Sequence, residues 1–324
     1  MTMTPPSLAE LEAAARIVHA VIPPTPQYRW PLLCEQLDAD VWLKHENHTQ
    51  VGAFKIRGGL VYFDWLARSG EAHRGVISAT RGNHGQSVGF AARRHAMPAT
   101  IVVPHGNSRE KNAAMRALGV ELVEHGDDFQ AAREHAEQLA IEQTLHLVPS
   151  FHPLLVAGVA SYWLEFFAAV ENLHTVYVPI GQGSGICAAI AARDALRLST
   201  DIVGVVSSGA PAYALSFARG VAVEHAVSTE LADGMACRRP DPVALGIMLR
   251  GVHRIVEVDD DDVAAAMRTL FECTHQVAEG AGAAAYAAAA QEAARNRGRR
   301  IGLVLSGGNL DRDVYASVLQ DSWR

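Results

Sequence analysis

Lys55 stands in the run Lys44-His45-Glu46-Asn47-His48-Thr49-Gln50-Val51-Gly52-Ala53-Phe54-Lys55-Ile56-Arg57-Gly58-Gly59, between an aromatic residue and a short Arg-Gly-Gly segment. This is a poor place for a lysine that only confers solubility. It suits a lysine that forms an imine with an aldehyde cofactor. An imine needs a neutral amine to form, and its positive charge then draws electrons from an attached substrate. Three glycine-rich clusters follow at wide spacing: Thr80-Arg81-Gly82-Asn83-His84, Gly181-Gln182-Gly183-Ser184-Gly185 and Ser306-Gly307-Gly308-Asn309.

The first cluster follows a strand ending at Ala79 and opens a helix, so its free backbone N–H groups favour an anion. The second lies between an apolar strand and a helix. Glycines there let the backbone approach a phosphate, and the helix N-terminus adds partial positive charge. Its spacing is neither G-x-G-x-x-G nor G-x-x-x-x-G-K-[ST], so dinucleotide and P-loop readings lack their motifs. Taken singly, each cluster also reads as an ordinary turn, and Lys55 as a solvated lysine at a helix start. His84 alone is uninformative, because most of the 15 histidines must be structural or solvated.

The elements that must position these residues alternate. Ser7 with Glu10 reads as a capping box opening a helix over Leu8 to Val21, and the prolines Pro23, Pro24 and Pro26 end it. Val41–Lys44 reads as a strand and Phe54–Ala67 as a helix. Strands are expected at Gly75–Thr80, Thr100–Pro104, Val120–Glu124 and Leu145–Val148, with helices Gly85–His95, Arg109–Leu118 and Phe129–Thr144 between them. Strand Val176–Ile180, helix Ser184–Arg197, strand Ile202–Val206, helix Asp262–Glu279 and strand Ile301–Leu305 complete the pattern. Short apolar runs between amphipathic helices imply an α/β fold with parallel sheets covered on both faces.

The chain has 324 residues, enough for one or two domains. Its 49% hydrophobic and 19% charged content suits a globular enzyme and excludes disorder. Net charge is −7 with no basic run, so no nucleic-acid partner is expected. The four cysteines, Cys34, Cys187, Cys237 and Cys273, lack CxxC spacing and fit a reducing compartment. No secretion signal is visible, and a cytoplasmic location is expected. The alanine-rich stretch Ala281–Ala294 reads as a buried helix too short and polar to span a bilayer, so no membrane partner is expected.

With these four clusters the chain resembles the fold-type II pyridoxal-phosphate enzymes, and within them the threonine/serine dehydratase and serine racemase group. The resemblance runs from Thr25-Pro26 to Ser306-Gly307-Gly308-Asn309 and rests on the order and spacing of all four motifs. It implies two parallel-sheet α/β domains with pyridoxal 5'-phosphate in the cleft between them. The large domain would comprise residues 1–73 plus 150–324, and the small one 74–149; no composition shift marks that boundary. Lys55 aligns with the Schiff-base lysine of the Ser-Phe-Lys-x-Arg-Gly motif, with Ala53 in place of the usual serine. The loop Thr80, Arg81, Gly82, Asn83 and His84 would hold the substrate carboxylate, and Asn83 the ring hydroxyl. Gly181, Gln182, Gly183, Ser184 and Gly185 would cradle the phosphate, with Gln182 and Ser184 replacing two glycines. Ser306 would face the pyridine nitrogen. Asn309 would support its turn, Asp233 would serve a turn structurally, and Glu279 matches a position near the cofactor where a solvated helix-end glutamate is the competing reading.

Two departures narrow the expectation. Arg81 stands where the racemases carry a serine that acts as a second proton carrier. The segment Ser207-Ser208-Gly209-Ala210-Pro211-Ala212 lacks the acids with which several relatives bind a divalent cation, so no metal is expected there. The resemblance therefore implies an ammonia-lyase that converts a β-hydroxy amino acid of the threonine, serine or 3-phenylserine type to a 2-keto acid and ammonia. The short run after Ser306 implies no C-terminal regulatory domain and a catabolic role. A homodimer or higher homo-oligomer is expected. Alternatives on the same scaffold are a 3-hydroxyaspartate dehydratase, an amino-acid racemase or a β-replacement enzyme. A binding protein without turnover and a nucleotide-dependent α/β enzyme are the other classes; Lys55 argues against the first and the missing motifs against the second.

Overall fold

The computed structural model describes residues 5–70 and 74–323. In chain order the first elements are α1 (Leu8–His19), β1 (Gln27–Arg29), α2 (Pro31–Leu37), β2 (Asp40–His45), α3 (Lys55–Arg68), β3 (Val76–Ala79), α4 (Asn83–Arg94) and β4 (Ala99–Val103). Next come α5 (Arg109–Ala117), β5 (Glu121–Glu124), α6 (Phe129–Glu142), β6 (His146–Leu147), α7 (Pro153–Ala169), β7 (Thr175–Pro179), α8 (Ser184–Ala195) and β8 (Asp201–Ser207). The last are α9 (Ala212–Arg219), α10 (Pro242–Gly251), β9 (Arg254–Val258), α11 (Asp260–Thr274), α12 (Gly280–Gln291), α13 (Ala293–Asn296), β10 (Arg300–Leu305) and α14 (Arg312–Leu319).

Two sheets result. The larger has the order β1-β2-β10-β7-β8-β9 and the smaller β5-β4-β3-β6. All neighbours are parallel except β1, which runs antiparallel to β2 along one edge. The large sheet is therefore mixed, not purely parallel. Apolar clusters cover it on both sides: α7, α8 and α10 supply Trp163, Ile186 and Met248 on one, and α11 and α12 supply Leu270 and Ala288 on the other. The small sheet packs against α3 and α4 through Phe63, Val88 and Ile101. Its strands run from Val76 to Leu147; His73, at the first expected domain boundary, lies outside the described residues.

Most expected elements are present within a few residues, and the capping box of Ser7 and Glu10 opens α1. Helix α7 is the largest element without a sequence signal. It is buried on nearly every side, so no 3.6-residue stripe betrays it. The expected helix Asp262–Glu279 is broken. It ends at Thr274, and His275 takes a left-handed conformation with φ 54° that turns the chain out of the helix axis.

Helix α7 fixes the start of α3. Arg57 is fully buried and donates to Glu46 Oε2 at 2.7 Å, to Ser161 Oγ at 3.0 Å and to Glu165 Oε1 at 2.5 Å. Lys44 Nζ binds the other oxygen of Glu165 at 2.6 Å. Two cations and two carboxylates thus balance inside the protein. The α3 and α7 backbones also nearly touch, because a Cβ on Gly58 would come within 2.9 Å of the Leu155 carbonyl. That close approach accounts for the glycine after Arg57.

Removing one member of such a network strands a buried charge, which costs about 3–5 kcal/mol. Glu46→Gln is expected to lower unfolding free energy by about that amount in urea titration. Arg68→Ala, which breaks an exposed pair with Asp64 on the same helix, should cost under about 1 kcal/mol.

Candidate active site

Four loops leave the C-terminal ends of parallel strands and meet in one cleft, the place where open α/β sheets bind ligands. Strands β2, β10 and β7 are neighbours, so the segments after them lie side by side. Phe54 N donates to Ser306 O at 3.1 Å, and Ala53 bridges Gly307. The loop after β3, from the small sheet, faces them. Its Asn83 donates to Glu279 Oε1 at 2.6 Å and accepts from Asn309 Nδ2 at 2.9 Å.

Lys55 opens α3 with its ammonium nitrogen 4.7 Å from the centre of the Phe54 ring. The residue keeps some exposure to the cleft, yet burial of its amine lowers the pKa to about 8, against a weaker opposing pull from Glu279. An appreciable neutral fraction is therefore present near neutrality. His84 is pushed down to about 3 by burial and by Lys55, so its imidazole is neutral. Its Nε2 has no hydrogen-bond partner among the described residues.

Gly181, Gln182, Gly183, Ser184 and Gly185 wrap the N-terminus of α8 and line the same cavity as Lys55, Asn83, Glu279 and Ser306. Gly183 has φ 100°, a conformation that favours glycine, and a Cβ there would press on Ala244 and Met248. Ser306 is buried, and its hydroxyl donates to Ala281 O at 3.3 Å. The inner cleft continues past Thr80, Arg81, Gly82, His84, Phe129 and Ser150. Arg81 also lines an outer vestibule with Arg133, Arg238 and Arg239. Those three arginines pair with Glu137, Asp128 and Glu224.

The structure thus brings every anticipated site residue to one cleft, and adds others. Glu279 is not a solvated helix end. It precedes α12 in extended conformation, is 2% exposed, and its N–H is held by Gly307 O at 3.1 Å. Asp233 does open a short turn, but its carboxylate also meets Lys111 Nζ at 2.7 Å. Asn309 supports its turn through Val51 O and orients Asn83 as well. Lys111 had one sequence signal. It shares an i, i+4 face with Met115, an apolar position, where a solvated lysine has no place. Among the described residues no group of three His, Cys, Asp or Glu side chains is placed to hold a metal, and no helix is long and apolar enough to cross a membrane.

The profile of the family described as "pyridoxal-phosphate dependent enzyme" matches residues 18–307. The chain belongs to this family. It is 31% identical to an L-threonine ammonia-lyase of Thermotoga maritima over 97% of this chain and 78% of the relative. It is 34% identical to another of Geobacter sulfurreducens over 88% and 71%. Among solved structures, the processed threonine deaminase isoform 2 of Solanum lycopersicum superposes with a TM-score of 0.86 at 27% identity, over 99% of this chain and 96% of that one. Maize serine racemase gives 0.90 at 23% identity, over 98% of each chain, a likeness of fold. The relatives place the chain in the threonine/serine dehydratase–serine racemase group of fold type II, whose cofactor is pyridoxal 5'-phosphate. The cleft fits that group. The Lys55 amine lines one cavity with the glycine-rich N-terminus of α8, the Asn83 amide and the Ser306 hydroxyl.

Burial of the amine also has a measurable consequence for the cofactor-free protein. In the folded chain Lys55 releases its proton near pH 8, whereas in the unfolded chain it keeps it to about 10.5. Between these values the unfolded state binds more protons, so stability contributed by this site rises with pH. Urea titrations of the apoprotein at pH 7.5, 9 and 10 (roughly spanning that window) should show it gaining on a Lys55→Met variant as pH increases. A constant difference would mean that the amine is not desolvated.

Proposed function

We propose that this protein is a pyridoxal-phosphate-dependent ammonia-lyase that dehydrates and deaminates a β-hydroxy amino acid. The observation that carries the reading is the convergence of the Lys55 amine with the glycine-rich N-terminus of α8, the loop Thr80–His84 and the Ser306 hydroxyl in one cleft. The ammonia-lyase relatives, about a third identical over nearly the whole chain, support it. Bound there, the cofactor supplies an aldehyde that links to an amine and a conjugated ring that accepts negative charge from the substrate Cα.

The residues divide the remaining work. Lys55 would anchor the cofactor through its amine, and its neutral Nζ would be placed to take the α-proton of the substrate. Backbone N–H groups of Thr80 to His84 hold the substrate carboxylate, and the Asn83 amide, fixed by Glu279 and Asn309, meets the ring hydroxyl. Gly181 to Gly185 and the first turn of α8 hold the phosphate, with Ser184 adding a hydroxyl. The long Ser306 bond to Ala281 O leaves that hydroxyl able to turn to the ring nitrogen. A hydroxyl there supports elimination, in which negative charge at Cα is short-lived, without keeping a proton on the ring. Loss of the α-proton and the β-hydroxyl forms a C=C bond and releases water; the enamine set free hydrolyses to a 2-keto acid and ammonia.

Residues 74–149 act as the small, substrate-closing domain and 1–73 with 150–324 as the large one, in a cytoplasmic homodimer. The substrate is of the threonine, serine or 3-phenylserine type. Arg81 favours the aromatic member. It lacks a hydrogen bond or ion pair among the described residues and borders the cleft beside Phe129, so a ring can lie against both. A 3-hydroxyaspartate substrate would bring a second carboxylate. Of the two lysines in the cleft, Lys55 is the anchoring amine and Lys111 is already matched by Asp233 and Glu279, which leaves Arg81 to receive it.

Borohydride treatment of the yellow holoenzyme should fix the cofactor to the peptide containing Lys55, and Lys55→Ala should release no keto acid from any of the four substrates. Label on another lysine overturns the assignment. Arg81→Ala, assayed on threonine, 3-phenylserine and 3-hydroxyaspartate, should lower kcat/KM for phenylserine selectively. An equal change on all three would make Arg81 scaffold, and a selective loss on hydroxyaspartate would reassign the substrate.

A further inference from the structure

Lys111 belongs to α5 of the small sheet, yet its ammonium ends between two carboxylates of the other unit. It lies 2.7 Å from Asp233 Oδ2 and 3.4 Å from Glu279 Oε2. The side chain is 5% exposed and passes directly beneath the loop of Thr80 to Asn83. Gly82 leaves it room: a Cβ there would overlap the Lys111 stem. Glu279 in turn has two faces. Its Oε1 receives the Asn83 amide at 2.6 Å, while its Oε2 is buried with no hydrogen-bond partner among the described residues and has the Lys111 ammonium 3.4 Å away.

We propose that Lys111 is a positioning residue: reaching across the cleft, it keeps Glu279 ionised, and the Glu279 carboxylate then both orients the Asn83 amide and sets the proton affinity of the Lys55 amine. The inference deepens the reading above and rests on Lys55 being the reactive amine.

Among the described residues, the charged and titratable groups that face this site are Lys55 on α3, Arg81 in the loop after β3, His84 on α4, Lys111 on α5, Asp233 in the turn before α10, and Glu279 itself. Burial pushes the Glu279 carboxyl above its ordinary value; Lys111 opposes that and Asp233 adds to it. Lys111 is held above its own ordinary value: burial alone would lower it, but Asp233 and Glu279 outweigh burial. Without Lys111, a carboxyl buried beside Asp233 takes up a proton, because desolvation and a like charge then act together. A neutral Glu279 no longer supports a proton on Lys55. Its Oε1 then accepts from the Asn83 N–H as a neutral carbonyl and no longer as a carboxylate, so the amide is held more weakly. Because Lys111 and Glu279 sit on different units, the arrangement exists in full only when the two are together. Contact between the units and the charge state of the catalytic amine are therefore one equilibrium.

The test uses Lys111→Met, Lys111→Arg, Glu279→Gln and the Lys111→Met/Glu279→Gln pair in the full chain, with thermal melts confirming that each folds. The first readout is the pH dependence with which Lys55 of the apoprotein reacts with trinitrobenzenesulfonate, followed by mass spectrometry of its peptide. The midpoint should fall by about one pH unit in Lys111→Met, the size of effect that one nearby buried charge exerts. Glu279→Gln should give the same fall, the pair no further fall, and Lys111→Arg the wild-type midpoint. The visible-band pH titration of the holoenzymes should repeat that order. An unchanged or raised midpoint in Lys111→Met, or shifts that add in the pair, would overturn the proposal. If Lys111→Met does not fold, Lys111→Gln replaces it with the same expectation. The apoprotein measurement reports on the Lys55 amine whether or not borohydride places the cofactor there, so the two readings fail separately.

Discussion

Everything in this molecule that does chemistry hangs on a set of four buried charges behind it. Arg57 lies two residues after Lys55, about 200° around the helix. When Arg57 points into the protein toward Glu46, Glu165 and Ser161, Lys55 must point the other way, into the cleft. Four ions are costly to bury one at a time. Together they are neutral, and their geometry leaves little freedom. Burial works against ionisation of Glu165, but Arg57 and Lys44 hold its carboxyl below the usual range. Lys44 comes from β2, Glu46 from the turn after it, and Glu165 from α7. The set therefore ties a strand, a helix start and a long buried helix at one point.

The cleft itself is held by a different kind of contact. Besides the apolar packing of α3 on the small sheet, polar groups join the two units across the cleft: Asn83 with Glu279 and Asn309, Lys111 with Asp233, and the start of α5 with Asp311. Ser108 Oγ donates to Asp311 Oδ1 at 2.7 Å and Glu110 N to the same oxygen at 3.0 Å, so a carboxylate of one unit caps a helix of the other. Such contacts are directional and replaceable by water.

Tuning of the site follows from who is buried beside whom. Lys55 and His84 are held toward their neutral forms by desolvation, with Lys55 adding to the effect on His84 and Glu279 opposing it on Lys55. Lys111 is held in its charged form, although it is just as deeply placed, because two carboxylates face it. Two lysines in one cleft are thus shifted in opposite directions, one toward the neutral amine and one toward the fixed cation. The difference lies in their neighbours, not in their residue type.

The segments that form the candidate cleft could be read from the sequence. Lys55 between Phe54 and Arg57, and the glycine clusters at 80–84, 181–185 and 306–309, were legible because each motif is local. A strand end, a turn and a helix start within a few residues suffice to present backbone N–H groups. The alternation of strands and helices was legible for the same reason, as was the cap formed by Ser7 and Glu10. Only the tertiary structure decided the electrostatics. Asn83 and Glu279 are 196 residues apart, and Lys111 and Asp233 are 122. No spacing rule links residues so distant, and a glutamate before an alanine-rich helix looks solvated until the turn at His275 folds it inward. Helix α7 was hidden because uniform burial erases the periodicity by which helices are read. Local backbone geometry is written in neighbouring residues; burial and pairing of charge are properties of the folded whole, and it is these that set the proton affinity of the catalytic amine.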